Sequence, residues 1–488
     1  MVGDEWYHDH PVINAQGDPL KRIPFGIHGD DAGVQGATQV LGITWGSLVR
    51  KLPTLDTRLA FTMVRTLDIV EGDTLDTIYS VFAWSLDALS QGEFPYNDHL
   101  GVPFSSIHHP DRFAKRGQKL ADGRVGAFAG MRGDWKYLVE ALHLPRFYKH
   151  HDYLCHACCV RKYANGMRYT DFRRCAPHRA TILSNMEFLG DLLGRTVISP
   201  LLLIPGFHVA RIHFDVMHCL DLGLLQYLVP SVLKHLVQEG AFAGSNLALK
   251  FASAYAAYRL WCEINKVRDV IRQKFKPGVW MKGTGFPKIT QATSRAGCLR
   301  SMMYWLLKVC RDHTATASGK MRLAMVEAWI EFDVLCRKFP RHLTSEQHAE
   351  LCQALERALV CYNALADLFV TLKRKLYKII PKCHALTHTY DIPLNPREVQ
   401  CYQDEDMVKR LKKIFNNVHG GVGASARGLW RYSILVGLRW WEELRVLRGI
   451  PAFHRDRFGI PVQVDDSVKQ RVLQKQSEKT AKRRKFKK

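Results

Sequence analysis

No stretch of this chain is apolar enough, for long enough, to read as a membrane span. The best candidate, Val197 to Val209, is interrupted by Pro200, Pro205 and His208, and a span needs about 20 apolar residues. The N-terminus lacks the basic-then-apolar pattern of a signal peptide and offers Asp4, Glu5, His8 and Asp9 instead. The expectation is a chain without a membrane partner whose thirteen cysteines are reduced thiols in the cytosol or nucleus. Cys262, Cys310, Cys336, Cys352 and Cys361 sit singly in helical patterns and read as small buried hydrophobes. There is no phosphate-binding Walker loop, no dinucleotide fingerprint and no Gly-x-Ser-x-Gly elbow, which weakens ATPase, dehydrogenase and hydrolase readings. No internal repeat is visible. Negative charge is scarce: 46 Asp and Glu face 70 Lys and Arg, for a formal charge of +24. That excess favours a polyanionic partner, nucleic acid before an anionic membrane surface.

What is present is a globular composition, 47% hydrophobic and 24% charged, over 488 residues. Such a length exceeds what one core usually serves, so two or more subdomains are expected. The segment Val468 to Lys488 holds ten Lys or Arg and one Glu, which leaves +15 on the rest. Its Lys482-Arg483-Arg484-Lys485 run reads as a nuclear-import patch or a phosphate-binding arm.

Residues 20 to 70 carry three strand-like runs, Ile23 to His28, Val40 to Val49 and Leu59 to Val70. A helix follows from about Leu75 to Ser90, then a long loop from Phe94 to Gly123 rich in Pro, Gly and His. Val125 to Met131 is a fourth short apolar run, and Asp134 to Leu144 reads as a helix. Residues 196 to 214 add a partly strand-like run. From Leu220 to about Tyr377 the period is helical, in five segments: Leu220–Val237, Leu247–Phe275, Gly297–Asp312, Lys320–Lys338 and Ser345–Lys375. Asp404 to Val418 is a basic helix with Met407, Val408, Leu411, Ile414 and Phe415 on one face, and another helix follows near Leu429 to Leu447. A mixed sheet with its first and fourth strands side by side would unite Asp30 and Asp134, the arrangement of the ribonuclease H-like fold. The fold class expected is therefore α/β: a ribonuclease H-like mixed sheet over 1–219, an all-helical insertion over 220–380, the rest of the core with a C-terminal helical region over 381–450, and a basic tail over 451–488.

Three acids stand in settings that suit a metal-bound carboxylate. Asp30 closes an apolar strand-like run, between Gly29 and Gly33; taken alone, an Asx turn between two strands explains it better. Asp134 follows Gly133 at a helix start, where Asp is also a preferred N-cap. Glu405 lies in Asp404-Glu405-Asp406, where the helix dipole favours acids but three in one turn exceed what capping needs. Asp215 and His218 are spaced as metal ligands or as a His oriented by a carboxylate, or simply as a structural pair. His384 and His388 lie one helical turn apart, without the Glu of a zincin protease. Cys155, Cys158, Cys175 and His178 have the spacing of a small structural zinc knuckle over 155–178.

The runs Gly26-Ile27-His28-Gly29-Asp30, Gly133-Asp134-Trp135, Cys155-x-x-Cys158 and Asp215-Val216-Met217-His218 with Leu222-Gly223 occur in the order of a known family. The chain resembles the CACTA-type (En/Spm-like) DDE transposases and the related Plavaka group, over roughly residues 20 to 445. Pro381-Lys382-x-His384-x-x-x-His388, Asn395-Pro396 and Asp404-Glu405 are similar to the segment around the family's last Glu. Trp135 departs from the small, Pro-containing turn usual after the second Asp. The resemblance implies that Asp30, Asp134 and Glu405 form the catalytic triad on magnesium or manganese, with Asp215 and His218 as accessory residues. It implies a nuclear enzyme that cuts and rejoins DNA, acting on element ends and target, with self-association a further expectation. Lys409, Arg410, Lys412 and Lys413, with Lys482 to Lys485, are the expected phosphate contacts. The competing class is a catalytically inactive, domesticated DNA-binding or scaffold protein on the same fold.

Overall fold

In the computed structural model, residues 5–448 are described except 35–38, 50–52, 150, 165, 194–196, 281–284 and 419–422; beyond them only 454–455 and 461–462 are. Four strands form one mixed sheet in the order β3-β2-β1-β4: β1 (Arg22–Gly33), β2 (Gln39–Ser47), β3 (Leu59–Arg65) and β4 (Val125–Gly133). β1 pairs antiparallel with β2 and parallel with β4, so the first and fourth strands are neighbours as expected. The parallel pairing needs a long crossover, and α1 (Thr74–Gln91) supplies its helix. Its buried Tyr79, Phe82 and Leu86 meet Phe25, Ile27, Ile43 and Phe128 of the sheet in one cluster. Each such side chain contributes roughly 1.5–3 kcal/mol by leaving water.

Side chains alternate between the faces of a strand. With Phe25 and Ile27 committed to the α1 side, Gly26, His28 and Asp30 must present to the other. Gly29 shows why a glycine sits between His28 and Asp30. A Cβ there would come within 2.2 Å of Tyr137, in α2 (Trp135–Leu142).

Residues 197 to 214 are not a strand. They form two short 3-10 turns, Pro200–Leu203 and Val209–Arg211, and touch the sheet edge through one parallel bridge, Ile212 to Met131. Pro200, Pro205 and Gly206 break the run, because proline cannot donate to a ladder. The long loop from Phe94 to Gly123 contains a short α-helix, Pro110–Lys115, and a 3-10 turn, Ala121–Gly123.

The helical region follows, except that the helix expected over Leu247–Phe275 ends at Ile264. α3 (Leu225–Gln238), α4 (Leu247–Ile264), α5 (Ala296–Arg311), α6 (Ala317–Lys338) and α7 (Ser345–Thr371) share a second core around Leu228, Val232, Leu299, Trp329 and Leu355. α7 opens on a capping box in which Thr344 and Gln347 satisfy each other's backbone N–H groups. Then come α8 (Pro381–Thr387) and α9 (Tyr402–Phe415). α9 lies on the second face of the sheet, where a Cβ on Gly42 would sit 3.2 Å from Leu411. Its Met407, Val408, Leu411 and Phe415 are buried, the stripe that the sequence pattern marks. Residues 1–416 form one compact unit and 417–488 a second, which holds α10 (Ala424–Leu447). No described helix is long and apolar enough to cross a membrane.

Candidate functional site

The β1–β4 register decides where the first two acids go. His28 pairs with Arg132 and Gly29 with Gly133. The next residues, Asp30 and Asp134, therefore leave the same ends of two adjacent parallel strands. Glu405, in the first turn of α9, is within hydrogen-bonding reach of Asp30. Asp134 follows Asp30 by 104 positions and Glu405 follows Asp134 by 271, so only the tertiary fold brings the three together.

Their electrostatics reflect the crowding. Burial, opposed by the His218 charge and reinforced by Asp134, raises Asp30 to about 6. Burial and the charge of Asp30 push Glu405 up to about 8. Two such carboxyls share a proton more easily than they both ionise. Asp134 also serves as the N-cap of α2: its Oδ1 accepts from Tyr137 N at 2.6 Å. Asp134 thus spends one oxygen on the helix cap while its charge acts on Asp30. Glu405 Oε1 is buried without a hydrogen-bond partner. His218 Nε2 stands 3.8 Å from it and His28 Nε2 3.9 Å.

Asp215 and His218 are joined. Asp215 Oδ2 lies 2.5 Å from His218 Nδ1, and its Oδ1 accepts from Met217 N and from Cys401 N, each at 3.0 Å. Burial works against a charge on His218, but Asp215 and Glu405 outweigh it and raise the imidazole. His218 lies in a π-helical turn, Met217–Leu224, an irregularity common at functional positions.

Lys409, Arg410 and Lys413 are exposed on α9 and Lys412 half-buried. Arg410 Nε holds Asp406 at 2.9 Å. Lys482, Arg483, Arg484 and Lys485 lie outside the described residues.

The expected zinc quartet requires correction. Cys155 and Cys158 gather with His384 and His388, while Cys175 is exposed. His178 is buried, but meets His384 ring to ring at 4.9 Å. The reason is topological: α8 and the 3-10 turn that follows it, His388–Tyr390, present His384 and His388 to the Cys155–Cys158 loop, whereas Cys175 is exposed. The His384–His388 spacing was the signal, legible as a paired ligand but without a partner loop in sequence. This buried cluster can hold a metal such as zinc.

Its dimensions suit that role. Cys155 Sγ to His388 Nε2 is 3.2 Å, Cys158 Sγ to His384 Nε2 3.3 Å, Cys158 Sγ to His388 Nε2 3.8 Å, and the two Nε2 atoms are 3.3 Å apart. A tetrahedron built on zinc's bond lengths has edges of roughly 3.3–3.8 Å. His388 Nδ1 contacts Asp391 Oδ2 at 2.7 Å, and Asp391 is held in turn by Arg179. That carboxylate fixes the ring with Nε2 facing the cluster. Four protein donors leave no open position, the pattern of a structural centre.

Among the described residues this is the one group of three or more such ligands with donor atoms all within 4.8 Å of one another. The acids at Asp30, Asp134 and Glu405 are spread wider. A cavity of about 500 Å³, lined by Arg211, Ile212, Phe214, Leu386 and Leu394 among others, adjoins the Cys–His cluster and includes none of the three acids. No protein-family model and no curated protein matches the chain.

Proposed function

We propose that the chain is a DDE-type, CACTA- or Plavaka-like transposase core, a nuclear DNA nuclease and strand transferase on a ribonuclease H-like fold. The sheet order β3-β2-β1-β4 with β1 parallel to β4 supports that fold reading. One observation carries the functional reading: three acids remote in sequence converge at strand and helix ends, where burial and mutual repulsion raise Asp30 and Glu405. Such a cluster has no stabilising purpose of its own, and perturbed acids in one place mark functional sites.

The donors fit a hard divalent cation. All are carboxylate oxygens, and Glu405 Oε1 is buried with no partner. Magnesium or manganese bound there would supply the activated oxygen nucleophile and stabilise the leaving oxygen of a phosphodiester. The chain's own residues do the rest. Asp30 and Asp134 hold positions set by the β1–β4 register, and α9 carries Glu405 to them. His218, oriented by Asp215, holds its Nε2 3.8 Å from Glu405 Oε1. Lys409, Lys412 and Lys413 hold backbone phosphates, which makes binding salt-sensitive and largely independent of sequence. The Cys–His cluster ties residues 155–158 to 384–388 and so braces the core across the helical region.

A second reading has its own support. Asp134 spends one oxygen on a helix cap, and the acids are spread wider than the Cys–His ligands. A DNA-binding scaffold that has lost catalysis fits both facts. Labelled DNA incubated with magnesium, manganese or EDTA separates the two. The expected result is metal-dependent cleavage that Asp30→Asn, Asp134→Asn and Glu405→Gln each lower by more than about 100-fold, beyond the effect of losing an outer-shell partner. Asn at 134 keeps the cap. Persistent DNA binding without cleavage in either metal selects the scaffold, and an RNA substrate run in parallel tests an RNA-processing nuclease.

A further inference from the structure

Below the acids lies a second layer of charge. One register step back along β1 and β4 are His28 and Arg132, on the same face as Asp30 and Asp134. Asp404, the residue before Glu405, reaches into this layer and is fully buried. Its Oδ1 accepts from Arg58 Nε at 2.5 Å, and Arg132 Nη2 lies 3.3 Å from its Oδ2. Arg58 enters from the residue before β3, and its Nη1 donates to Thr57 O at 3.1 Å and Ser47 O at 3.4 Å. Neither ring nitrogen of His28 has a hydrogen-bond partner.

We infer that Asp404, clamped between Arg58 and Arg132, is the positioning residue that turns α9 so that Glu405 faces Asp30. The inference rests on the DDE reading of the acids and goes beyond it. Consecutive residues on an α-helix diverge by roughly 100°, so fixing one side chain inward fixes where the next one points. An apolar residue at 404 would tolerate many rotations of the helix. A carboxylate that must meet guanidinium groups from two different elements tolerates one. Buried ion pairs contribute little net stability against apolar packing, and their best-attested use is to specify register. A second tie agrees: Asp215 Oδ1 accepts from Cys401 N at 3.0 Å, which anchors the residue just before α9. Two anchors, at 401 and 404, set both the rise and the rotation of the first turn.

The test compares Mn2+ affinity of the full chain, by isothermal titration, in wild type, Glu405→Gln, Asp404→Asn and the double variant Arg132→Gln/Asp404→Asn. The double variant has the same net charge as wild type in this layer but no clamp. The expected result is Mn2+ binding weakened 10- to 100-fold in Asp404→Asn, and still weakened in the double variant after thermal stability is regained. A purely structural role would let affinity recover together with stability. Wild-type Mn2+ affinity in the folded double variant, with affinity lost in Glu405→Gln, overturns the inference. If Glu405→Gln binds Mn2+ as wild type does, the DDE reading fails instead. The clamp is then judged by a crystal structure of the metal-free double variant: a Glu405 carboxyl turned away from Asp30 supports it, and an unmoved one overturns it.

Discussion

Removing the metal from the Cys–His cluster should cost stability in an amount the structure fixes. The cluster joins Cys158 to His384 across 226 positions. In the chain-entropy account, a cross-link closing a loop of that length stabilises the fold by about 5 kcal/mol relative to the open chain. The unit it braces spans residues 1–416. At about 2.1 cal/mol/K of unfolding entropy per residue, 5 kcal/mol corresponds to a drop of about 6 °C in Tm. The assay is differential scanning fluorimetry with and without a strong chelator, alongside metal analysis of the purified protein. One zinc per chain is expected, with Tm restored when zinc is returned. Cys158→Ser and His388→Ala should lower Tm similarly and become insensitive to chelator. Cys175→Ser should leave both Tm and zinc content unchanged, because that thiol is exposed and outside the cluster. The reasoning is refuted if the protein carries no zinc, or if Cys175→Ser releases zinc while Cys158→Ser does not.

Other outcomes follow from the same geometry. Asp30 and Glu405 have folded-state pKa values raised to about 6 and about 8. The folded state therefore holds more protons than the unfolded one above pH ~4, and metal-free stability falls as pH rises from there through about 8. Scanning calorimetry should record that decline, a smaller one in Glu405→Gln, and a larger stabilisation by Mg2+ at pH 8 than at pH 5. Gly29→Ala forces a methyl against the Tyr137 ring and should destabilise by at least about 1–3 kcal/mol in urea unfolding. Arg322 is fully buried in α6, with Nη1 on Glu239 Oε2 and Nη2 donating to His313 O at 2.7 Å. Arg322→Met should lose about 1.5–3 kcal/mol by the same measurement, since it removes charge-assisted hydrogen bonds from Glu239 and the His313 carbonyl.

The division between chain and fold is clearest in particular residues. Strands β1 to β4, α1 and the five helices of the second core were legible because their apolar periods of two and 3.6 are local properties, written wherever a face must be buried. The run ending at Phe214 was misread as partly strand-like because its apolar content suggests a strand while its prolines forbid a ladder; 3-10 turns with a single bridge to the sheet were the outcome. Asp134 and Glu405 each stood in a setting that suits a metal ligand but that helix capping or the helix dipole also explains, and only the family resemblance joined them to Asp30. What each acid would face depended on the β1–β4 register and the rotation of α9, neither of which has a local signature. The Cys155–Cys158 pair was plain, but its partners were assigned to the nearest ligands in sequence. Coordination obeys distance in space, and α8 with the turn after it brings His384 and His388 to the thiols from more than 220 positions away. Sequence by itself determined which segments become helix or strand, the basic surface and the chemistry of each side chain, because these depend on neighbours along the chain. Only tertiary structure decided which acids crowd together and which histidines close the thiol cluster, because those depend on loops whose closure no local pattern encodes.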